Sequence, residues 1–390
     1  MNKIIRNDLQ ARIDNCEIWV RALIEISNNL NKPFISKKEI FEELNTIFNE
    51  FSEEIKYSNL EYQFEFCNLT ILCCEIFNEW DVWFSWAREI IDNISHYKIY
   101  SLYFGIGRYF EELDNFSKAE EYHTAAIEFF LKKEDQESKY YLALNSLGLG
   151  IIYSRAKLIR SEEPLFTANY LFAKLKNNYF RGCTLAVLGG YYFRQNKTLL
   201  SIYYYLRAII TFHVYGFNSD LPRIYYSFAT ALLALKKLDL LAIPAIRIGM
   251  KLANEYSQNR YSSLLYYALG RLYYNNKSYE CANENLNYAC NVYSEYFEIN
   301  RLYPENLFNI LLMLGYTNIK LNRREAAREY IHKLKIIIEK FLLPNSENEI
   351  EKERGRNIFN YYHKLLSLFG DDNLQTIIES KIREKLEIQS

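Results

Sequence analysis

Five segments of this 390-residue chain share one phrase, a large apolar residue followed by glycine and, in four of them, an aromatic three residues after the glycine. The copies are Ile106-Gly107-Arg108-Tyr109-Phe110, Leu149-Gly150-Ile151-Ile152-Tyr153, Leu188-Gly189-Gly190-Tyr191-Tyr192, Leu269-Gly270-Arg271-Leu272-Tyr273 and Leu314-Gly315-Tyr316-Thr317-Asn318. Their glycines lie 43, 39, 81 and 45 residues apart. The 81-residue gap holds a sixth position, Phe228-Ala229-Thr230-Ala231-Leu232, with alanine in place of glycine. A period near 41 residues means stacked repeats, each burying its apolar face on the next.

A second signature follows at fixed offsets. Twelve and nineteen residues after Gly107 stand Ala119 and Ala126; after Gly270, Ala282 and Ala289; after Gly189, Ser201 and Ala208; after Gly315, Ala327 and Leu334. Small residues recurring on two successive helical patterns imply two antiparallel helices in close approach, each small residue facing a large one. Glycine inside a helix costs about 1 kcal/mol against alanine, so its reuse argues for a tight crossing. Short polar turns separate the two patterns at Asp114-Asn115, Gln195-Asn196-Lys197, Asn275-Asn276-Lys277-Ser278 and Asn322-Arg323-Arg324, where Asn, Asp or Ser can cap the next helix. Pro222 and Pro304 fit helix starts, and Pro244 implies a second helix that begins late or kinks. Only 13 Gly and 6 Pro occur, and no alternating apolar run is bounded by tight turns.

The phrase and its offsets resemble the tetratricopeptide repeat, through Tyr266, Leu269, Gly270, Tyr273, Tyr279, Ala282 and Ala289 in one copy and Tyr103, Ile106, Gly107, Phe110, Ala119 and Ala126 in another. The expected fold is all-α, a right-handed superhelix of such helix pairs. Six repeats would occupy 98–341, after a divergent helical bundle over 1–97 and before capping helices over 342–390. The copies at 143–176 and 222–255 read as degenerate.

Chemistry finds little support. The five histidines, His96, His123, His213, His332 and His363, are far apart, and no phosphate loop, nucleophile elbow or zinc-protease motif is present. No catalytic residue, metal or cofactor is therefore expected. A net charge of −1 supplies no global field toward nucleic acid or anionic lipid, and no uninterrupted apolar run approaches membrane-spanning length. The seven cysteines form no Cys-x-x-Cys pair and suit reduced core thiols in a cytoplasmic protein. At the N-terminal side, the 36–56 segment is too acidic for a DNA-reading helix, and Trp80, Trp83 and Trp86 suit packing of the first bundle more than an exposed patch.

Binding remains. In stacked helix pairs the first helices line the inner face, and the residues one after, three before and four after each phrase glycine point there. That register selects Tyr226, Tyr267, Arg271, Tyr274 and Tyr316, with Arg194 and Asn309 beside them, as residues for holding an extended peptide or partner segment. Arginine forks a carboxylate, and tyrosine gives contact area at low entropic cost. No nucleic acid or membrane partner is implied, and the oligomeric state stays open. The alternative is an assembly subunit that uses its outer face or termini.

The layout also resembles a narrower group, the Rap-type phosphatase and peptide-pheromone receptors of Gram-positive bacteria, through phrases such as Pro244-Ala245-Ile246-Arg247-Ile248-Gly249-Met250-Lys251-Leu252-Ala253. That resemblance implies an N-terminal bundle followed by long repeats that close around a short peptide. It does not carry phosphatase activity over, since Gln10 and Gln63 are the only glutamines near the position that the group uses.

Overall fold

The structure is a computed structural model that describes residues 100–112, 115–155, 161–235, 238–256, 258–300, 304–342 and 360–370, with residues 11 and 46. The expectations for 1–97, including the tryptophan run, and for most of 342–390 lie outside these residues.

Every regular element among the described residues is helical. The pairs are α1 (Tyr103–Glu112) with α2 (Phe116–Phe130), α3 (Gln136–Arg155) with α4 (Glu162–Lys174), and α5 (Asn178–Arg194) with α6 (Thr198–Val214). They continue as α7 (Leu221–Ala234) with α8 (Asp239–Glu255), α9 (Asn259–Asn275) with α10 (Tyr279–Asn300), and α11 (Pro304–Lys320) with α12 (Arg324–Ile337). A last described helix covers 360–369. The chain divides into two compact units, Met1–Arg194 with Tyr203–Asp220, and Gln195–Ile202 with Leu221–Ser390. In each, successive helices pack, and first helices also touch first helices: α1 on α3 and α3 on α5, then α7 on α9 and α9 on α11.

The phrase glycines sit where the sequence places them, at the helix crossings. A Cβ on Gly107 would lie 2.5 Å from His123 Cε1, on Gly150 2.4 Å from Leu165 Cδ2, on Gly189 2.7 Å from Tyr205 Cδ1 and on Gly270 2.6 Å from Leu286 Cγ. Ala119, Ala126, Ser201, Ala208, Ala282, Ala289, Ala327 and Leu334 are all fully buried. Gly315 differs, because its missing Cβ leaves room for Leu365 of the 360–369 helix.

The two copies that read as degenerate keep the same packing with a slipped register. After Gly150 the buried small positions are Ser161 and Ala168, one residue early, and Leu165 fills the groove between them. After Ala229 they are Ala242 and Gly249, one residue late, with Ile246 as the large residue. In this copy the glycine has moved to the second helix, where a Cβ would meet Tyr225 Cβ and Leu265 Cδ2 at 2.9 Å. Pro244 neither delays nor ends α8, which starts at Asp239. The ring lies at the sixth helical position, and its missing N–H forfeits one bond in the second turn.

The turns are as polar as expected, and they use left-handed residues other than glycine. Asn196, Lys277 and Asn322, within pairs, and Lys176, between α4 and α5, have φ between 55 and 62°. Around Lys277 the ends close in a Schellman pattern, Ser278 N–H to Tyr273 O at 2.9 Å and Lys277 N–H to Tyr274 O at 3.0 Å. Asn115 caps α2 by accepting from Lys118 N–H at 3.2 Å. Lys277→Gly should relieve the left-handed strain and raise stability by about 0.5–1 kcal/mol in a urea titration. An unchanged or lower midpoint would mean that the lysine side chain contributes more than its backbone costs.

The abundant aromatic residues are largely core. Tyr109, Tyr179, Tyr191, Tyr293, Phe172 and Phe212 are nearly or wholly buried. Buried hydroxyls find partners at the helix surfaces, as when Tyr192 donates to Glu162 at 2.7 Å and Asn306 donates to Tyr293 at 3.0 Å. Of the described cysteines, Cys183 and Cys290 are buried thiols as expected, while Cys281 is exposed. No helix among the described residues is long and apolar enough to cross a membrane.

Candidate ligand-binding faces

Because first helix packs on first helix, residues one turn apart along α7, α9 and α11 come together in the second unit. Arg271 lies one turn after Tyr267 on α9, with its guanidinium 5.7 Å from the Tyr267 ring centre and a hydrogen bond to that hydroxyl. Tyr226 of α7 stands near enough to feel both. From α11, the Tyr316 hydroxyl donates to the Tyr361 carbonyl at 3.4 Å. Tyr274 completes the group, its ring 5.4 Å from that of Tyr279.

Burial, first of all, holds these phenols neutral. It pushes Tyr226, Tyr267 and Tyr274 above the usual tyrosine range and Tyr316 up to about 12, with neighbouring hydroxyls adding to the effect. At neutral pH the face therefore presents hydroxyl donors and one cation. Arg271 has no carboxylate partner among the described residues. Tyr226, Arg271, Tyr274 and Tyr316 are half-buried, Tyr267 is buried, and Tyr361 is exposed. Asn309 lies two turns before Tyr316 on α11, half-buried and without a hydrogen bond to the group. Tyr361 was missed by sequence reasoning, although one more 45-residue step from Tyr316 lands on it.

The inner positions of the first unit carry charge. Glu111 on α1 is buried between Arg108, one turn before it, and Arg155 of α3, whose Nη1 donates to Glu111 Oε1 at 3.1 Å. Arg194, the last residue of α5, donates from Nη1 to the buried Ser154 Oγ at 2.9 Å. Behind this face His123 occupies the slot between Gly107 and Gly148. Asn145 gives its amide to the Tyr141 carbonyl, so its Oδ1 accepts from His123 Nδ1–H at 3.0 Å and fixes the tautomer. His123 Nε2 has no partner, and burial lowers this imidazole to about 4, so it is neutral. No group of three His, Cys, Asp or Glu side chains that could hold a metal occurs among the described residues.

Neither a protein-family model nor a curated protein matches the sequence. Solved structures do. A Rap protein complexed with Competence and Sporulation Factor aligns with a TM-score of 0.58 at 13% identity, covering 86% of this chain and 98% of that one. The apo form of the quorum sensor NprR from B. thuringiensis gives 0.53 at 16% identity, covering 86% and 99%. A STAND signal-transduction ATPase with a tetratricopeptide-repeat sensor, from Pyrococcus horikoshii, gives 0.55 at 14% identity over 89% of this chain and 53% of that one. The chain thus has the all-α fold of tetratricopeptide-repeat proteins, and Rap-type regulators share it.

Proposed function

We propose that this protein is a non-enzymatic peptide- or partner-binding regulator, and that the face built by Tyr226, Tyr267, Arg271, Tyr274 and Tyr316 holds its ligand. The observation that carries this reading is Arg271, a half-buried cation with tyrosine hydroxyls rather than a carboxylate around it. A cation in such a setting gains most from a ligand that brings the missing anion, while the neutral phenols supply donors and flat apolar surface. Asn309 belongs to the same reading as a further contact on α11. The solved Rap complex with its factor supports a peptide as the ligand class. A cytoplasmic setting is consistent with the described helices, none of which could span a membrane.

The test is a thermal-shift screen of short synthetic peptides against the intact protein, followed by titration of each hit with variants. Arg271→Ala and Tyr274→Ala should each weaken a hit at least tenfold, since truncating an interface arginine or tyrosine typically costs about 2 kcal/mol. Helicity and melting temperature without peptide should stay near wild type. Peptides that bind both variants normally would place the ligand elsewhere.

One observation favours assembly as a second reading. On α6 the side chains of Tyr203, Leu206, Ile210 and Val214 recur along one exposed stripe. A stripe of this kind on an outer helix suits a partner subunit. Stepwise polar replacement of Leu206 and Ile210 would then disrupt a complex while leaving peptide hits intact.

A further inference from the structure

Arg194 is an exposed residue whose guanidinium is held in place. Its Nη1 donates to Ser154 Oγ and lies only 3.1 Å from where a Cβ on Gly190 would stand. The Tyr205 hydroxyl borders the same gap, 3.4 Å from that Cβ position. Position at a helix C-terminus explains why a basic residue is favoured there, by about 0.3–1 kcal/mol. It does not explain the glycine that makes room for the fork, nor the buried serine that pins it.

The surroundings sharpen the point. Ser154 is followed by Arg155, so the bond to Ser154 brings two guanidinium groups to the same end of α3, and Arg155 opposes the charge of Arg194. Arg155 is paired with Glu111, but that carboxylate is buried and also serves Arg108. Arg194 has only the neutral hydroxyl of Ser154 as its hydrogen-bond partner among the described residues. Arg194, pinned by a neutral group beside a second guanidinium, is arranged for an anion that it lacks among the described residues.

We propose that Arg194, steadied by Ser154 and assisted by Arg155, is a carboxylate-binding subsite on the first unit, so that the ligand is an acidic peptide. The ligand class rests on the peptide-binding reading above, but the subsite can be tested without the tyrosine face. A carboxylate laid against Arg194 accepts from its fork and relieves the repulsion from Arg155. The acid can be an aspartate or glutamate side chain or a chain end.

Calorimetric titration of the intact protein at low salt decides this, using three probes: acetyl-Glu-Glu-Glu-amide, acetyl-Gln-Gln-Gln with a free C-terminal carboxylate, and acetyl-Gln-Gln-Gln-amide. The first is expected to bind at least tenfold more tightly than the third, and the second shows whether a chain end suffices. Arg194→Gln should reduce triglutamate binding at least tenfold. Arg194→Lys, which keeps the charge without the fork, and Ser154→Ala, which keeps the charge without the pin, should each reduce it several-fold. Arg207→Gln on α6, the same charge change away from the subsite, should have little effect. Equal binding of the acidic and the fully neutral probe, or equal losses in the Arg194 and Arg207 variants, would overturn the proposal. The peptide screen with Arg271→Ala reads the other face, so either proposal can fail alone.

Discussion

Gly270→Ala is expected to destabilise the second unit by about 1–2 kcal/mol, although alanine is the better helix former. Propensity alone favours the substitution by up to about 1 kcal/mol. Against it, the new methyl would lie 2.6 Å from Leu286 Cγ and 3.3 Å from the Ala282 carbonyl oxygen. Leu286 is fully buried, and the carbonyl belongs to helix backbone, so neither yields cheaply. Overpacking of this kind typically costs about 1–3 kcal/mol. Leu286→Ala alone should cost about 2–5 kcal/mol through the cavity it leaves. Combined, the two should cost less than their sum by about 1 kcal/mol or more, because the added methyl enters the emptied space. Urea unfolding of the four proteins measures this directly. Strict additivity would show that Gly270 and Leu286 do not share one crossing.

Acidification from pH 7 to 5 should destabilise the first unit before most surface carboxylates are protonated. His123 is neutral in the folded protein, where burial lowers it to about 4, and titrates near 6.5 once unfolded. Between those values the unfolded chain binds the extra proton, so stability falls as pH falls. The contribution is complete above pH 6.5, is reduced by about 2 kcal/mol at pH 5, and reaches a loss of about 3 kcal/mol near pH 4. Among the groups facing the ring, Arg108 reinforces the sign as a like charge to any imidazolium, Asn145 opposes it in part by accepting from Nδ1–H, and Gly107 and Gly148 close the slot without a second acceptor. His123→Leu places at this crossing the residue that Leu165 and Leu286 supply at theirs. It should flatten the dependence between pH 7 and 5 in denaturant titrations. A variant that loses as much stability as wild type over that range would mean that other groups carry the transition.

The repeat phrase made the helix pairs legible because a close crossing permits few residues, and the same offsets recur in the buried small positions. The turns were legible for a similar reason, since a left-handed residue at Asn196 or Asn322 selects asparagine. The two slipped copies were not, because a fixed offset cannot follow a spacing between the phrase and the small positions that is one residue shorter or longer. Register alone groups Tyr267, Arg271 and Tyr274, since two turns of α9 set all three on one face. The pairing of Glu111 with both Arg108 and Arg155 escaped that register argument. It depends on the separation of α1 and α3, which a single sequence does not encode locally. In the sequence His123 is one of five scattered histidines; in the structure it is core, and its glycine slot required two helices at once.

The move of glycine from Ala229 to Gly249 in the fourth pair shows what the repeat actually fixes. The quantity held constant is the combined bulk at a contact, and either helix can supply the missing methyl. Residue identities can then wander from copy to copy, and between distant chains, while the backbones stay superimposable. A ruler laid along the letters loses such a shared fold quickly, but a ruler laid along the helix axes keeps it, as the Rap and NprR alignments at 13 and 16% identity illustrate.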